Sequence, residues 1–131
     1  MELFRSTFLI RPENYAKAAR AVRDASVFRS IFSIFKESAP ARSVITCALR
    51  YSGLFFAFAD NGCEVLDCED DMNEDTVNFM ERVFKAISKS VEPGAYIEFV
   101  DGDTFVRYDF LYDTVERRTV PHILYAKKET L

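Results

Sequence analysis

The residues of this chain best suited to covalent or metal chemistry are three cysteines and a single histidine. Zinc accepts both residue types, but the four are irregularly spaced and do not form the two closely spaced ligand pairs of a usual structural site. The four residues are Cys47, Cys63, Cys68 and His122. Cys68 and His122 could form a thiol–imidazole pair, although nothing in the sequence places them together. We therefore predict no metal, no cofactor and no catalytic residue, and retain Cys68 and His122 as the weakest candidates for reactivity or metal binding.

A second set of chemically capable residues is an acidic run that begins at Asp67. Alternate side chains of this run carry the oxygen ligands that calcium requires. However, the position that should be glycine in a calcium loop is Met72, and the position that should supply a bidentate carboxylate is Asn78. The run is therefore predicted to be a solvated turn leading into a helix.

The charges of the chain are unevenly distributed. Residues 1–50 carry nine Lys and Arg against four Asp and Glu, whereas residues 51–131 carry eight against 17. No Lys or Arg lies between Tyr51 and Glu81, a stretch that holds nine carboxylates. Four of these have no evident structural use, and we call them the acidic loop: Asp67, Glu69, Asp70 and Asp71. They are predicted to form an exposed surface that binds a protein partner, preferably a basic one.

Other functional classes have less support in the sequence. The chain has no P-loop, no dinucleotide-binding glycine pattern and no G-x-S-x-G motif. A pI near 5.1 disfavours nucleic acid as a partner, even though several arginines could share a basic surface. These are Arg20, Arg23, Arg29, Arg42 and Arg50. There is no signal-peptide pattern and no apolar run approaching about 18 residues, so we expect a cytoplasmic protein that does not bind membranes.

The element that must position the acidic loop is a helix predicted to begin after Asn73. Asn73 is a favourable N-cap, and Pro93-Gly94 ends the helical pattern. Apolar residues recur at the helical spacing of about 3.6 residues and should form one core-facing stripe. They are Val77, Met80, Val83, Phe84, Ile87 and Val91.

A hairpin is predicted to follow this helix, with strands at Ala95–Val100 and Thr104–Tyr112. A two-residue loop at Gly102-Asp103, with Gly first as in a type II′ turn, sets the register. That register pairs apolar residues on one face and places Glu98 opposite Arg107 on the other. The apolar pairs are Phe99 with Val106, Ile97 with Tyr108 and Ala95 with Phe110. The predicted ion pair implies a modest loss of stability for Arg107→Glu.

The N-terminal half gives weaker patterns. Apolar alternation predicts a first strand that includes Phe4, Phe8 and Ile10, and helices are predicted over Pro12–Arg23 and about 27–35. The segment 42–51 fits either a helix or a strand. We predict a strand, because hairpin turns at Ser52-Gly53 and Asn61-Gly62 would then align three strands with one apolar face.

The C-terminal part contains a predicted strand over 115–120. Pro121 restricts this strand to a sheet edge, where it could pair with a partner or with a second copy of the chain. The residues from about 126 onward are predicted to form a short solvated tail.

The predicted fold is therefore one α+β domain over residues 1–131, with helices packed on one face of a largely antiparallel sheet in the order β-α-α-βββ-α-βββ. This order resembles the βαβββ units of sliding clamps in topology alone, without a shared motif. The predicted function is a small, soluble, non-catalytic interaction or regulatory protein that binds another protein through its acidic surface or an edge strand. The alternatives are a clamp-like subunit associated with nucleic acid and, third, a small hydrolase.

Overall fold

A computed structural model of the chain describes residues 1–25 and 39–121. These residues form three α-helices and seven β-strands, with short 3-10 turns before α1 and after α3. In chain order the elements are β1 (Glu2–Ser6), β2 (Leu9–Ile10), α1 (Tyr15–Asp24), α2 (Ala41–Tyr51), β3 (Leu54–Ala59), β4 (Gly62–Cys68), α3 (Glu74–Ile87), β5 (Tyr96–Asp101), β6 (Thr104–Phe110) and β7 (Val115–Pro121).

All strand pairs are antiparallel, and the predicted α+β class is confirmed. The strands form a four-stranded sheet in the order β1-β5-β6-β7 and a three-stranded sheet in the order β2-β4-β3. The first predicted strand is interrupted between Ser6 and Leu9, where the backbone N–H of Phe8 donates to Ser6 Oγ. The N-terminal segment therefore pairs with β5 through β1 and with β4 through β2, so it joins the two sheets.

The β5–β6 hairpin has the register that the sequence predicts. Phe99 pairs with Val106, Ile97 with Tyr108, and Glu98 with Arg107. Gly102 has a φ of +58° and Asp103 has no positive φ, which agrees with a type II′ turn. The apolar pairs face the core, since Ile97, Phe99 and Tyr108 are buried.

The prediction of a strand over 42–51 is wrong, because this segment is the helix α2. Val44 and Ile45 are both buried although they are adjacent in sequence. A helix can bury two neighbours on one face, whereas a strand directs them to opposite faces. The following Gly53 has a φ of +74° and ends α2 instead of forming a hairpin turn. The second predicted turn, at Asn61-Gly62, does join two paired strands, β3 and β4.

The helices pack against one another and against both sheets. α3 buries four residues of the predicted apolar stripe, Met80, Val83, Phe84 and Ile87. The ring of Phe84 contacts those of Tyr108 and Phe110 in β6. Tyr15 of α1 contacts the ring of Phe58 in β3. The strand predicted after residue 114 is confirmed as β7, which is the last strand of its sheet within residues 1–25 and 39–121. The predicted helix over 27–35 and the tail from 126 lie outside the described residues.

Candidate interaction surface

The acidic loop runs from the end of β4, which contains Asp67, to the segment before α3, which contains its other three carboxylates. All four of its carboxylate residues are exposed. The backbone N–H of Cys68 donates to Asp67 Oδ1 at 2.8 Å, and Asn73 Oδ1 accepts from the Thr76 N–H at 2.8 Å. The second bond is the predicted N-cap, which satisfies a free donor of the first helical turn. The structure therefore holds the loop at both ends and leaves its charges in solvent.

Arginines neutralise several carboxylates elsewhere in the fold. In the described part of the chain these ion pairs involve Glu81, Glu92, Glu98 and Asp109, which contact Arg117, Arg11, Arg5, Arg107 or Arg118. Among the same described residues, no ion pair includes a side chain of the acidic loop. The carboxylates of the loop are therefore not neutralised by any side chain in the described ranges.

Met1 brings a further carboxylate to the acidic loop. The Met1 amino group donates to the Asp70 carbonyl at 3.3 Å and lies 3.9 Å from Asp101 Oδ1. Asp101, the last residue of β5, is therefore beside the loop. Sequence reasoning missed Asp101, because its proximity depends on the pairing of β1 with β5.

A groove between α3 and β7 extends from the acidic loop along the sheet. It consists of two open spaces of about 380 Å³ and about 230 Å³, which share Tyr108 and Arg117. Its lining comprises Met1, Met72, Glu74, Val77, Asn78, Glu81, Phe84, Lys85, Asp101, Val106, Tyr108, Val115, Arg117 and Thr119. Because Met72 and Glu74 directly follow the acidic loop, this groove connects the loop with the edge strand β7. We call it the α3–β7 groove.

Glu81 links the two sides of the α3–β7 groove. Its Oε2 accepts a hydrogen bond from the Tyr108 hydroxyl at 2.6 Å and one from Arg117 Nη1 at 2.8 Å. Burial raises the pKa of Tyr108, and the hydrogen bond to the Glu81 carboxylate raises that pKa further. The phenol is therefore neutral and serves as a donor that connects α3 to β6.

A separate charge network lies on the opposite face of the four-stranded sheet. Glu98 accepts hydrogen bonds from Arg107 Nη1 at 2.6 Å and from Arg5 Nε at 2.9 Å. Burial opposes ionisation of Glu98, but the hydrogen bonds from Arg5 and Arg107 outweigh it and lower the pKa of this carboxyl. Arg107 also lies 4.0 Å above the ring centroid of Tyr96. The network is internally satisfied and stabilises the sheet.

Of the residues considered for covalent or metal chemistry, the structure describes the three cysteines. Cys68 is buried, and burial and the nearby Asp67 carboxylate raise the pKa of its thiol. Burial also raises the pKa of Cys63 to about 12 and that of Cys47 above its ordinary value. These thiols stay protonated near neutral pH, which makes them poor nucleophiles. His122 lies outside the described residues, and the residues inside them contain no cluster of three or more potential metal ligands.

Two of the arginines considered for nucleic-acid binding contribute to packing. Arg23 Nη2 donates to the Ala39 carbonyl at 2.9 Å, and the Arg42 guanidinium lies 4.3 Å from the ring centroid of Phe58. Arg20 and Arg50 are exposed, whereas Arg29 is outside the described ranges.

Comparison of the chain with protein-family models, with curated proteins and with solved structures gave no match. None of the helices in the described part is long and apolar enough to cross a membrane.

Proposed function

We propose that this chain is a small, non-catalytic protein-binding module that recognises a basic partner. The observation that carries the proposal is the α3–β7 groove, because it begins at Met72, next to the acidic loop, and is lined on its other side by the edge strand β7. The sequence offers the acidic surface and the edge strand as alternative binding sites. In one groove they can act as parts of a single surface.

The composition of the groove supports a protein ligand. Val77 and Val106 provide apolar surface, whereas Glu74 and Asp101 add carboxylates at the end nearest the acidic loop. Protein interfaces combine an apolar centre with a polar rim, and charge complementarity at the rim chiefly speeds association. A partner with basic residues around an apolar side chain would match this distribution.

The test reverses the charge of the acidic loop in Asp67→Lys, Glu69→Lys, Asp70→Lys and Asp71→Lys combined. A matched control reverses four exposed carboxylates elsewhere, through Glu13→Lys, Asp24→Lys, Asp60→Lys and Asp113→Lys. Both variants have the same net charge, so they separate the position of the charge from its amount. Circular dichroism and the thermal midpoint establish that each variant folds.

Proteins retained from a lysate by the wild-type chain and the control, but lost by the loop variant, are identified and measured singly. For such a partner, the loop variant should reduce the association rate constant by about tenfold at low salt and flatten its salt dependence. The control variant should have a smaller effect. If the loop variant and the control retain the same proteins with equal association rates, the proposal is wrong.

A further inference from the structure

The outer edge of β7 presents backbone hydrogen-bonding groups of known direction. The Leu111 N–H donates to the Thr114 carbonyl at 2.9 Å and closes the turn between β6 and β7. Hydrogen-bonded and non-hydrogen-bonded pairs alternate along an antiparallel ladder. Counting from this bond, residues 116, 118 and 120 are bonded to β6. Val115, Arg117 and Thr119 therefore direct their N–H and C=O groups away from β6.

A second bond supports this assignment. The Phe110 N–H donates to the Ala95 carbonyl at 2.9 Å, so the backbone groups of Phe110 point toward β5. Val115, which lies opposite Phe110 on β7, therefore makes no backbone hydrogen bond to Phe110. In the described residues β7 is the last strand of its sheet, and no described strand pairs with its outer edge. An extended chain can satisfy such a row of donors and acceptors.

We propose that the partner adds an extended segment antiparallel to β7 as a fifth strand and places basic side chains in the α3–β7 groove. This inference rests on the proposed function and specifies the form of the ligand. Residues directly opposite in an antiparallel pair have side chains on the same face. The residues opposite Arg117 and Thr119 therefore point into the groove, since Arg117 pairs with the inward-facing Tyr108 across β6.

The charges of the groove define a preference at each position. Thr119 lies at the end that contains Glu74 and Asp101. Asp101 is 3.9 Å from the Met1 amino group, and Glu74 adds a second carboxylate, so the residue opposite Thr119 should be lysine or arginine. Arg117 is already paired with Glu81. Val115 lies at the other end with Phe84, where an apolar residue fits better.

A second copy of this chain that pairs about the centre of the edge meets its own like charges. A two-fold axis centred on residue 116 would place Glu116 opposite itself, and an axis on 117 or 118 would do the same for Arg117 or Arg118. Like charges directly opposite each other destabilise strand pairing. A segment from a different protein with an apolar residue opposite Arg117 avoids these contacts.

The probe, called the lysine–valine peptide, is a fluorescent synthetic peptide of about ten residues, a typical strand length. It carries lysine opposite Thr119 and at the groove-facing position before it, valine opposite Arg117 and Val115, and threonine at the positions that face away from the groove. Its fully N-methylated form lacks backbone donors, and a glutamate–valine peptide reverses the charge. Fluorescence anisotropy should detect binding of the first peptide alone. Failure of the lysine–valine peptide to bind at about 1 mM, or equal binding of its N-methylated form, overturns the inference.

Thr119→Pro removes one outward N–H without removing a bond to β6, and Thr119→Ala is its matched control. The proline variant should raise the Kd of the lysine–valine peptide by at least about tenfold, and the alanine variant by less than about threefold. Equal Kd values for the two variants would contradict strand addition.

Hydrogen exchange tests the same point without a substitution. In the free protein, the amides of Val115, Arg117 and Thr119 should exchange faster than those of residues 116, 118 and 120. Saturating lysine–valine peptide should slow the exchange of the first set. Unchanged exchange at saturation overturns the inference, as does a concentration-dependent dimer in sedimentation that the peptide dissociates.

The acidic-loop variant separates this inference from the proposed function. If loop reversal leaves peptide association unchanged while Thr119→Pro abolishes binding, strand addition is supported and recognition by the acidic loop is wrong. If loop reversal slows association while Thr119→Pro has no effect, the proposed function is supported and strand addition is wrong.

Discussion

Arg107→Glu is the substitution that best tests the charge network on the outer face of the four-stranded sheet. Glu98 is only 7% exposed and accepts a hydrogen bond from Arg107 Nη1 at 2.6 Å. Arg107 also donates to Asp109 Oδ1 at 2.9 Å. The substitution removes both bonds and places a third carboxylate beside two that remain.

The magnitude follows from the burial of Glu98. Removing one partner of a buried ion pair costs about 3–5 kcal/mol when the remaining charge is left unpaired. Here Arg5 still donates to Glu98, so the cost should approach that of a lost hydrogen bond between charged groups, about 1.5–3 kcal/mol. Repulsion from Glu98 and Asp109 adds to this value. We expect the free energy of unfolding to fall by about 3 kcal/mol.

The assay is equilibrium unfolding in urea near neutral pH, with the midpoint and slope measured for each variant. Arg118→Glu is the matched control, because Arg118 is opposite Arg107 on β7 but its side chain is 62% exposed. Its bond to Asp109 is at the surface and should contribute less than about 1 kcal/mol. If the two variants lose equal stability, or if Arg107→Glu costs less than its control, the reasoning is refuted.

Three further predictions concern close packing, acid stability and metal content. Gly62→Ala should lower the free energy of unfolding by more than about 3 kcal/mol, because a Cβ there would lie 2.2 Å from the Ile10 carbonyl oxygen. Gly102→Ala should lower it by only about 1 kcal/mol, because a Cβ there meets open space and only the positive φ opposes it. Urea unfolding of the two variants measures the difference. The pKa of Glu98 is below its ordinary value of 4.5, so the stability that this carboxylate contributes is present above pH 4.5 and is lost as the pH falls through the lowered pKa. Unfolding midpoints measured across that range should therefore decline less steeply for Glu98→Gln than for the wild type. Elemental analysis should find no stoichiometric zinc, and a chelator should leave the melting curve unchanged; one zinc per chain would contradict the cysteine assignments.

The hairpin of β5 and β6 could be predicted because its determinants are local. Gly102-Asp103 sets the turn, and side-chain alternation allows only one register that keeps the apolar pairs on one face. The start and buried stripe of α3 are local in the same sense, since Asn73 and the apolar residues lie within a few turns of each other.

The segment 42–51 shows where local patterns fail. Its apolar residues fit both the helical and the strand periodicity. The choice of a strand relied on Ser52-Gly53 acting as a hairpin turn. A glycine with positive φ also ends helices, so this sequence signal had two structural meanings. Packing decided between them, because only a helix buries Val44 and Ile45 on the same side.

The exposed acidic loop and the edge position of β7 follow from sequence, since uncompensated charge and Pro121 are visible there. Their connection through the α3–β7 groove does not follow from the sequence. It depends on β1 pairing with β5 and on Glu81 reaching both Tyr108 and Arg117, contacts between residues far apart in the chain. Arg5 likewise joins Glu98 from a distant strand and turns a predicted surface pair into a buried network. Such contacts leave no periodic pattern in the sequence, because each depends on which strand becomes the neighbour once the core has packed.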